Sequence, residues 1–511
     1  MPVYLERLLL VLLFCMLYGT QAIADQRPNI VMLFTDDQRF DGVGFMGNTV
    51  VQTPHLDSLA RQGIVFDQCF VNTSICAISR ANLLMGQYPT QHGITDFFKT
   101  PTREQLAESV PGRLQESGYQ TAFFGKWGIG DTPANTRSGS AVFDYWAGQP
   151  MQTCFFHNPD CLYVRSNGFQ QNPQAAADSQ PTPGRNALCN CPPDASGMVG
   201  FHNRIGRAGL TKPLHTDSEI VPLHVDRFLE GRNVEQPFCM FVHFKAPHSP
   251  FADWDQEFAR ITDGVKIENP SAATIENANK EPPVIKKSLG RASGMAMLKK
   301  PEQLKAHLRD YYRLISSMDK GVGKIVANLK RRGLHDNTLY LFTSDNGHLT
   351  AEHGLMGKWV MYEPSLRVPG FMFDARQPKQ GQSISPLVIT NDFSATMLAA
   401  AGISVPETIS GSDLSKLYES TSSSTVDWRD DFFYDHPYRH GGQIPHVQGV
   451  RNKDFAYIRY ISEDPVVEQL FDLNQDPDQL VNLVANPEQQ QRLGEMRQRW
   501  RALRDSLIQT Q

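Results

Sequence analysis

The chain has 511 residues, 40% hydrophobic and 20% charged, which is ordinary globular material with length for about two to four domains. Its formal net charge is -5 and it carries no long Lys/Arg run, so it lacks the electrostatic footprint of a nucleic-acid-binding protein.

Arg7 precedes the apolar run Leu8–Leu17, and Ala22-Ile23-Ala24 follows as a small-residue cleavage site. That pattern predicts a signal peptide over residues 1–24 and an exported protein, periplasmic or secreted. The run is short for a membrane span, and no later segment approaches the roughly 20 apolar residues of a transmembrane helix, so no stable span is expected. Beyond it lie Cys69, Cys76, Cys154, Cys161, Cys189, Cys191 and Cys239, an odd set that leaves one thiol free, reactive or modified in an exported protein. The middle four share a polar stretch and could form two disulfides or, with irregular spacing, a zinc site. Cys69 and Cys239 sit in apolar runs and read as core, so Cys76 is left over.

The apolar run Pro28–Thr35 predicts a strand buried on both faces that stops at Asp36-Asp37. Thr53-Pro54 through Gly63 predicts a helix with Pro in its first turn and a terminating Gly. This strand-helix order points to a parallel α/β sheet. Thr73 to Gly86 places Cys76, Ser79 and Arg80 at a predicted helix start, where unpaired N–H groups and the dipole favour an anion. Tyr119–Phe124 delivers Lys126 to a strand end, Phe238–Phe244 delivers His248, and Thr338–Ser344 delivers Asp345-Asn346. Between them, residues 151–214 read as a loop insertion and 264–300 as a lysine-rich excursion. A long helix is predicted from Pro301 to Arg332, with Leu304, Leu308, Tyr312, Ile315, Met318, Val322, Ile325 and Leu329 on one face. Another is predicted from Asn391 to Ala401. The Ser/Thr-rich stretch 420–425 marks a boundary, so a catalytic α/β domain is expected over 25–419 and a smaller α+β domain over 426–511. In the latter, Gly449–Arg451 and Phe455–Tyr460 alternate like a hairpin, and Asn486-Pro487 opens a last helix.

In open parallel sheets, ligands bind beyond the carboxyl ends of the strands, so residues distant in sequence converge there. Asp36, Asp37, Asp345 and Asn346 then offer oxygen donors suited to a hard divalent cation. Lys126, Lys358, Arg80 and His248 add cations and a proton carrier at comparable positions, which suits binding and cleavage of an oxyanion ester.

The residues carrying a family pattern are Pro28-Asn29-Ile30 with Asp36-Asp37-Gln38, Thr53-Pro54-His55-Leu56-Asp57, Cys76-Ala77-Ile78-Ser79-Arg80, Gly86–Gly93, Gly125-Lys126-Trp127, Pro247-His248, Ser344-Asp345-Asn346-Gly347 and Gly357-Lys358. In these the chain resembles the type I, formylglycine-dependent sulfatases of the alkaline phosphatase superfamily, from Pro28 to about Pro487. Gly449-Val450-Arg451 and Leu470-Phe471-Asp472-Leu473 in the smaller domain resemble that family too. The resemblance implies a large, mostly parallel sheet flanked by helices. It implies that a formylglycine-generating or equivalent maturation enzyme oxidises Cys76, whose hydrated aldehyde supplies the nucleophilic oxygen and a ligand to Ca²⁺ or Mg²⁺. Asp36, Asp37, Asp345 and Asn346 complete that ligand set by the same resemblance. Arg80, Lys126 and Lys358 neutralise the sulfate, and His248 or a neighbouring lysine protonates the leaving alcohol. Two positions depart from the pattern. Ile78 stands where the family usually has Pro or Ala, and Gly128 where it usually has a His that helps expel sulfate, with His92 and His348 as candidate substitutes.

The expected substrate is a sulfated glycan, with His436, Arg439 and His440 as candidate contacts in a loop of the smaller domain. The alternatives are a phosphodiesterase or phosphonate hydrolase using the same groups, and a catalytically silent glycan-binding member.

Overall fold

The computed structural model describes residues 27–130, 138–149, 154–157, 214–419 and 426–509. The signal-peptide pattern, Cys161, Cys189, Cys191, most of the 151–214 insertion and the stretch 420–425 lie outside the described residues. Among the described residues, no helix is long and apolar enough to cross a membrane.

Strand β1 (Asn29–Thr35) is buried along its whole length, as its unbroken apolar run requires. Its side chains alternate between two cores: Ile30, Met32 and Phe34 enter one, Val31 and Leu33 the other. Seven more strands join it: β2 (Ile64–Phe66), β3 (Gln120–Lys126), β4 (Tyr145–Gln149), β5 (Phe238–His243), β6 (Thr338–Ser344), β7 (Phe371–Asp374) and β8 (Gln382–Ile384). Their spatial order is β8-β2-β7-β6-β1-β5-β3-β4. Only β7 runs against its neighbours; every other adjacent pair is parallel. Strands β6, β1, β5 and β3 are therefore consecutive, and their carboxyl ends lie side by side.

Helices cover both faces. On one side, α1 (Pro54–Ala60) and α3 (Pro301–Arg331) supply Leu56, Leu59, Leu314, Ile315, Met318, Val322 and Ile325. On the other, α2 (Cys76–Met85) and α4 (Thr390–Ala400) supply Leu83, Leu84, Phe393 and Leu398. A separate antiparallel sheet is formed by β9 (Asp431–His436), β10 (Val447–Asn452), β11 (Phe455–Tyr460) and β12 (Val467–Asp472). Its period-2 pattern divides it between Phe432, Tyr434 and Ile458, which join the α2/α4 core, and Phe433, Val450 and Tyr457, which pack on Leu493, Met496 and Trp500 of the terminal helix α5 (Gln490–Gln509).

The excursion at 264–300 is more regular than its sequence suggests, containing helices Ile275–Lys280, Pro283–Lys286 and Arg291–Leu298. The Thr274 side chain caps the first by accepting Asn277 N–H at 3.1 Å, and Pro283 opens the second. These local signals act over single turns, too short to produce a periodic pattern.

One buried side chain ties α3 to α1. Asp319 accepts the backbone N–H groups of His55 at 3.1 Å and Leu56 at 2.8 Å, serving as a cap from another helix. Burial pushes its carboxyl up to about 7, although those two bonds favour the anion. A raised carboxyl contributes stability below its unfolded value of about 4 that is lost as pH rises through about 7. Asp319→Asn, which keeps one acceptor oxygen and cannot ionise, is expected to melt below the wild type at pH 5. The gap narrows or reverses by pH 8.5 in matched thermal melts; a gap independent of pH would contradict the assigned ionisation.

Candidate active site

The site lies across the adjacent carboxyl ends of β6, β1, β5 and β3 and the start of α2. Strand β1 hands over to Asp36 and Asp37. Asp37 has a positive φ of 61°, an uncommon conformation held by its N–H donating to Asp345 Oδ1 at 3.1 Å and by its carbonyl accepting from Tyr311 Oη at 2.6 Å. On the neighbouring strand, β6 hands over to Asp345 and Asn346, and Asn346 Nδ2 donates to Asp37 Oδ1 at 2.7 Å. Both strand ends are thereby locked together.

Helix α2 delivers Cys76 and Arg80. The first intrahelical bond runs from Ser79 N to Ile75 O at 2.9 Å, so Cys76 sits in the turn whose N–H groups lack helical partners. Ile78, also in that turn, is buried, an environment that suits an apolar residue. Cys76 Sγ lies within 4.8 Å of carboxylate oxygens of both Asp36 and Asp345. Lys358 Nζ is 3.8 Å from that sulfur and also pairs with Asp37 Oδ1. Lys126, at the end of β3, pairs with Asp36 Oδ2. Arg80 donates through Nε to Asp345 Oδ2 at 2.9 Å, and its Nη2 lies 3.5 Å from Asp36 Oδ2. These three cations and three carboxylates are all buried.

The charges set one another's ionisation. Burial alone would raise Asp36, but Lys126, His248, Arg80 and Lys358 outweigh it and hold that carboxyl well below its usual range. Asp345 goes the other way: burial and the Asp36 charge push it up to about 7 against the pull of Arg80, Lys126 and Lys358. Lys358 is raised above its ordinary value, with Asp37 overcoming the cost of burial, and so stays protonated. Burial pushes the Cys76 thiol up despite Lys126 and Lys358, because Asp36 and Asp345 reinforce the effect.

The donor set fits a hard cation. Asp36 Oδ1 and Asn346 Oδ1 are buried side-chain oxygens with no hydrogen-bond partner, next to Asp345. Oxygen donors with one thiol-bearing side chain and no pair of His or Cys ligands suit Ca²⁺ or Mg²⁺.

His248 also joins the group, with Nε2 3.7 Å from Asp37 Oδ2. Its Nδ1 donates to Ser249 O at 2.9 Å, and burial lowers its pKa to about 4, so the ring is neutral at pH 7 with Nε2 unprotonated. The two substitute histidines differ. His92 accepts Ile94 N–H at 3.0 Å through Nδ1 and meets Asn82 Oδ1 at 2.8 Å through Nε2, which commits both nitrogens to holding α2. His348 has neither nitrogen bonded and places Nδ1 3.8 Å from Asp37 Oδ2, stacked on Tyr311. In the smaller sheet, His436 is fully buried at the end of β9 and lowered by burial to about 3, whereas Arg439 and His440 are exposed.

Three contributors have no motif in the sequence. Asp217 accepts Lys245 N at 3.2 Å and Ala246 N at 2.8 Å, fixing the turn that carries His248. Glu281, from the excursion, meets His353 Nδ1 at 2.7 Å and accepts from Tyr362 Oη at 2.6 Å, holding both ends of the loop that presents Lys358. His243, in β5, places Nδ1 3.2 Å from Arg80 Nη1. Its signal is a histidine within an otherwise apolar strand.

Comparisons with known proteins establish the family. The sulfatase family model matches residues 28–403, and a model described as N-sulphoglucosamine sulphohydrolase, C-terminal, matches residues 351–506. An N-acetylglucosamine-6-O-sulfatase of Bacteroides thetaiotaomicron is 25% identical, covering 93% of this chain and 85% of that protein. A solved structure described as in complex with its substrate D-glucosamine-2-N,6-O-disulfate superposes with a TM-score of 0.70 at 23% identity, covering 95% of this chain and 98% of that one. The phosphonate monoester hydrolase of Agrobacterium radiobacter superposes at 0.69 with 21% identity, covering 94% and 96%. With the large mostly parallel sheet and this cluster at its carboxyl edge, the chain belongs to the sulfatase family.

Proposed function

We propose that this sulfatase releases sulfate from a sulfated carbohydrate, with Cys76 matured to formylglycine and a divalent cation, Ca²⁺ or Mg²⁺, held by Asp36, Asp37, Asp345 and Asn346. The observation that carries the reading is the convergence of Cys76 with Asp36 and Asp345 inside a ring of buried cations. When present, formylglycine supplies a hydrated aldehyde oxygen as nucleophile, and the cation lowers the cost of negative charge on oxygen. Arg80, with Nη2 lacking a hydrogen-bond partner, and Lys126 neutralise the sulfate oxygens. His248, beside Asp37, or a neighbouring lysine, Lys126 or Lys358, protonates the leaving alcohol. Residues 25–419 form the catalytic domain and 426–511 a smaller domain whose exposed Arg439 and His440 face a sugar. Export through residues 1–24 completes the proposal. The carbohydrate class is supported by the named activity of the B. thetaiotaomicron relative.

A second reading, phosphodiester or phosphonate hydrolysis, is favoured by the same oxyanion-binding groups, which serve phosphorus as well as sulfur. Matched aryl sulfate and aryl phosphate monoesters and diesters separate the two. We expect kcat/KM for the sulfate to exceed the phosphorus esters by at least ~10²-fold, a gap of the size one well-placed charged contact provides. The reverse order would replace the first reading by the second.

Protein made in a host with the maturation enzyme is expected to show the Cys76 peptide at the mass of the aldehyde or its hydrate. Cys76→Ala is expected to lower kcat by at least ~10³-fold, as for loss of a nucleophile. An unmodified thiol with no sulfate released from any sulfated sugar would favour the silent, glycan-binding alternative.

Removal of the cation is read by two measurements. Exhaustive chelation is expected to lower sulfate release and the melting temperature together, and added Ca²⁺ or Mg²⁺ to restore both, because a bound ion stabilises the folded state by mass action. Asp345→Asn should abolish that thermal response; retention of the shift would place the ion elsewhere.

A further inference from the structure

Arg80 has five N–H donors and no acceptor. The structure accounts for three of them. Nε donates to Asp345 Oδ2 at 2.9 Å, while Nη1 reaches Lys126 O at 2.8 Å and His243 Nδ1 at 3.2 Å. Nη2 makes no hydrogen bond in the buried site, although it lies 3.5 Å from Asp36 Oδ2. The protein thus holds Nε and Nη1 and leaves Nη2 beside Asp36 without a hydrogen bond. Since an arginine only donates, this contact is a hydrogen bond when His243 Nδ1 accepts and the imidazole proton is on Nε2, an atom with no hydrogen-bond partner of its own.

We propose that His243 is a positioning residue for Arg80, accepting its Nη1–H through Nδ1 in the Nε2–H tautomer and so aiming the Nη2 edge at the sulfate group. This rests on the reading of Arg80 as a sulfate-binding side chain.

The surroundings of His243 make it a rigid acceptor. It is fully buried, with its Cα in register with Phe34 of β1 and Gly125 of β3. The rings of Phe34 and Phe123 lie 5.0 Å and 4.7 Å from the imidazole centroid. Gly125 takes a φ of +87°, and a Cβ there would fall 2.0 Å from His243 O, so β3 approaches this residue more closely than any side-chain-bearing position allows. Burial and the adjacent Arg80 both disfavour imidazolium, which keeps Nδ1 available as an acceptor.

Gly128 explains why the task falls to this side of the arginine. A Cβ at that position would lie 3.3 Å from both Arg80 Cδ and Lys126 Cε, so a side chain there would abut the stems of both cations. Glycine, with a φ of +73°, places no side chain of its own against the guanidinium. The orientation then depends on Asp345, Lys126 O and His243. The first two belong to the catalytic cluster and its backbone, which leaves His243 as a neutral side chain devoted to the arginine.

A bland core histidine would be exchangeable for an apolar residue of similar volume; a positioning histidine would not. The matured, cation-loaded enzyme and two variants separate these. His243→Leu removes the acceptor. His243→Asn restores one, because an amide Oδ1 occupies nearly the place of Nδ1. With melting temperatures confirming folding, His243→Leu is expected to weaken inhibition by inorganic sulfate and to lower kcat/KM by about 10- to 100-fold, the loss typical of one hydrogen bond to a charged group. His243→Asn should recover most of both. Independently, ¹⁵N spectra of histidine-labelled wild type should show His243 neutral with the proton on Nε2. Sulfate inhibition and kcat/KM unchanged in a folded His243→Leu, a failure of Asn to recover either, or an Nδ1–H tautomer would each overturn the proposal. Wild-type enzyme insensitive to sulfate while the tautomer is as expected would instead sink the role of Arg80, and with it the purpose of this contact.

Discussion

Everything at the edge of the sheet depends on burying three carboxylates together. Asp36, Asp37 and Asp345 are each at most 4% exposed, and an unpaired charge in such a place costs several kcal/mol or is neutralised. Arg80, Lys126 and Lys358, equally buried, answer them charge for charge. Ionisation is nonetheless uneven: Asp36 is held well down by its cations, while burial and the Asp36 charge push Asp345 up to about 7. A divalent cation beside these oxygens would favour the ionised form of Asp345 and add positive charge for a sulfate monoester. Fixed charges arranged in advance in this way need no reorganisation at the moment of reaction.

The topology is what permits such density. The four consecutive strands β6, β1, β5 and β3 supply Asp345, Asp36 and Asp37, His248 and Lys126 in that order, and the long Lys126 side chain crosses the end of β5 to pair with Asp36. The two-sided burial of β1 keeps water away from its end. Gly125 lets β3 approach β5 closely beside the site, and Asp217 fastens the turn after β5. The smaller sheet contributes from beyond: Tyr434 Oη accepts Ser74 N–H at 3.3 Å, and Asp435 O accepts the Thr73 hydroxyl at 2.7 Å, bracing the approach to Cys76.

Those parts of the site that follow directly from an apolar run were legible in the sequence. Asp36, Asp345 and Lys126 each terminate a continuous hydrophobic strand, and Pro and Gly punctuation bounds the α1 segment, so their placement needed only the rule that ligands gather at carboxyl ends. Residues acting through tertiary contacts were not legible. Glu281 reaches the Lys358 loop from a stretch without periodicity, and nothing local distinguishes Asp217 from a capping residue. His436 shows the opposite failure. Its neighbours Pro437, Tyr438, Arg439 and His440 suggested a polar loop, but strand pairing with Val447 extends through His436 and buries it before the loop begins.

The state of the cysteine bears on why such a site would need maturation. A thiol at a helix start, flanked by two lysines, is ordinarily driven toward thiolate. Here burial and the carboxylates of Asp36 and Asp345 reverse that tendency and hold it protonated. Burial leads that effect, and Asp36 and Asp345, which add to it, are also oxygen donors suited to a hard cation. An oxygen on the carbon at this position would match such an ion better than sulfur does, because oxygen is a hard donor and negative charge on it would be shared with the cation.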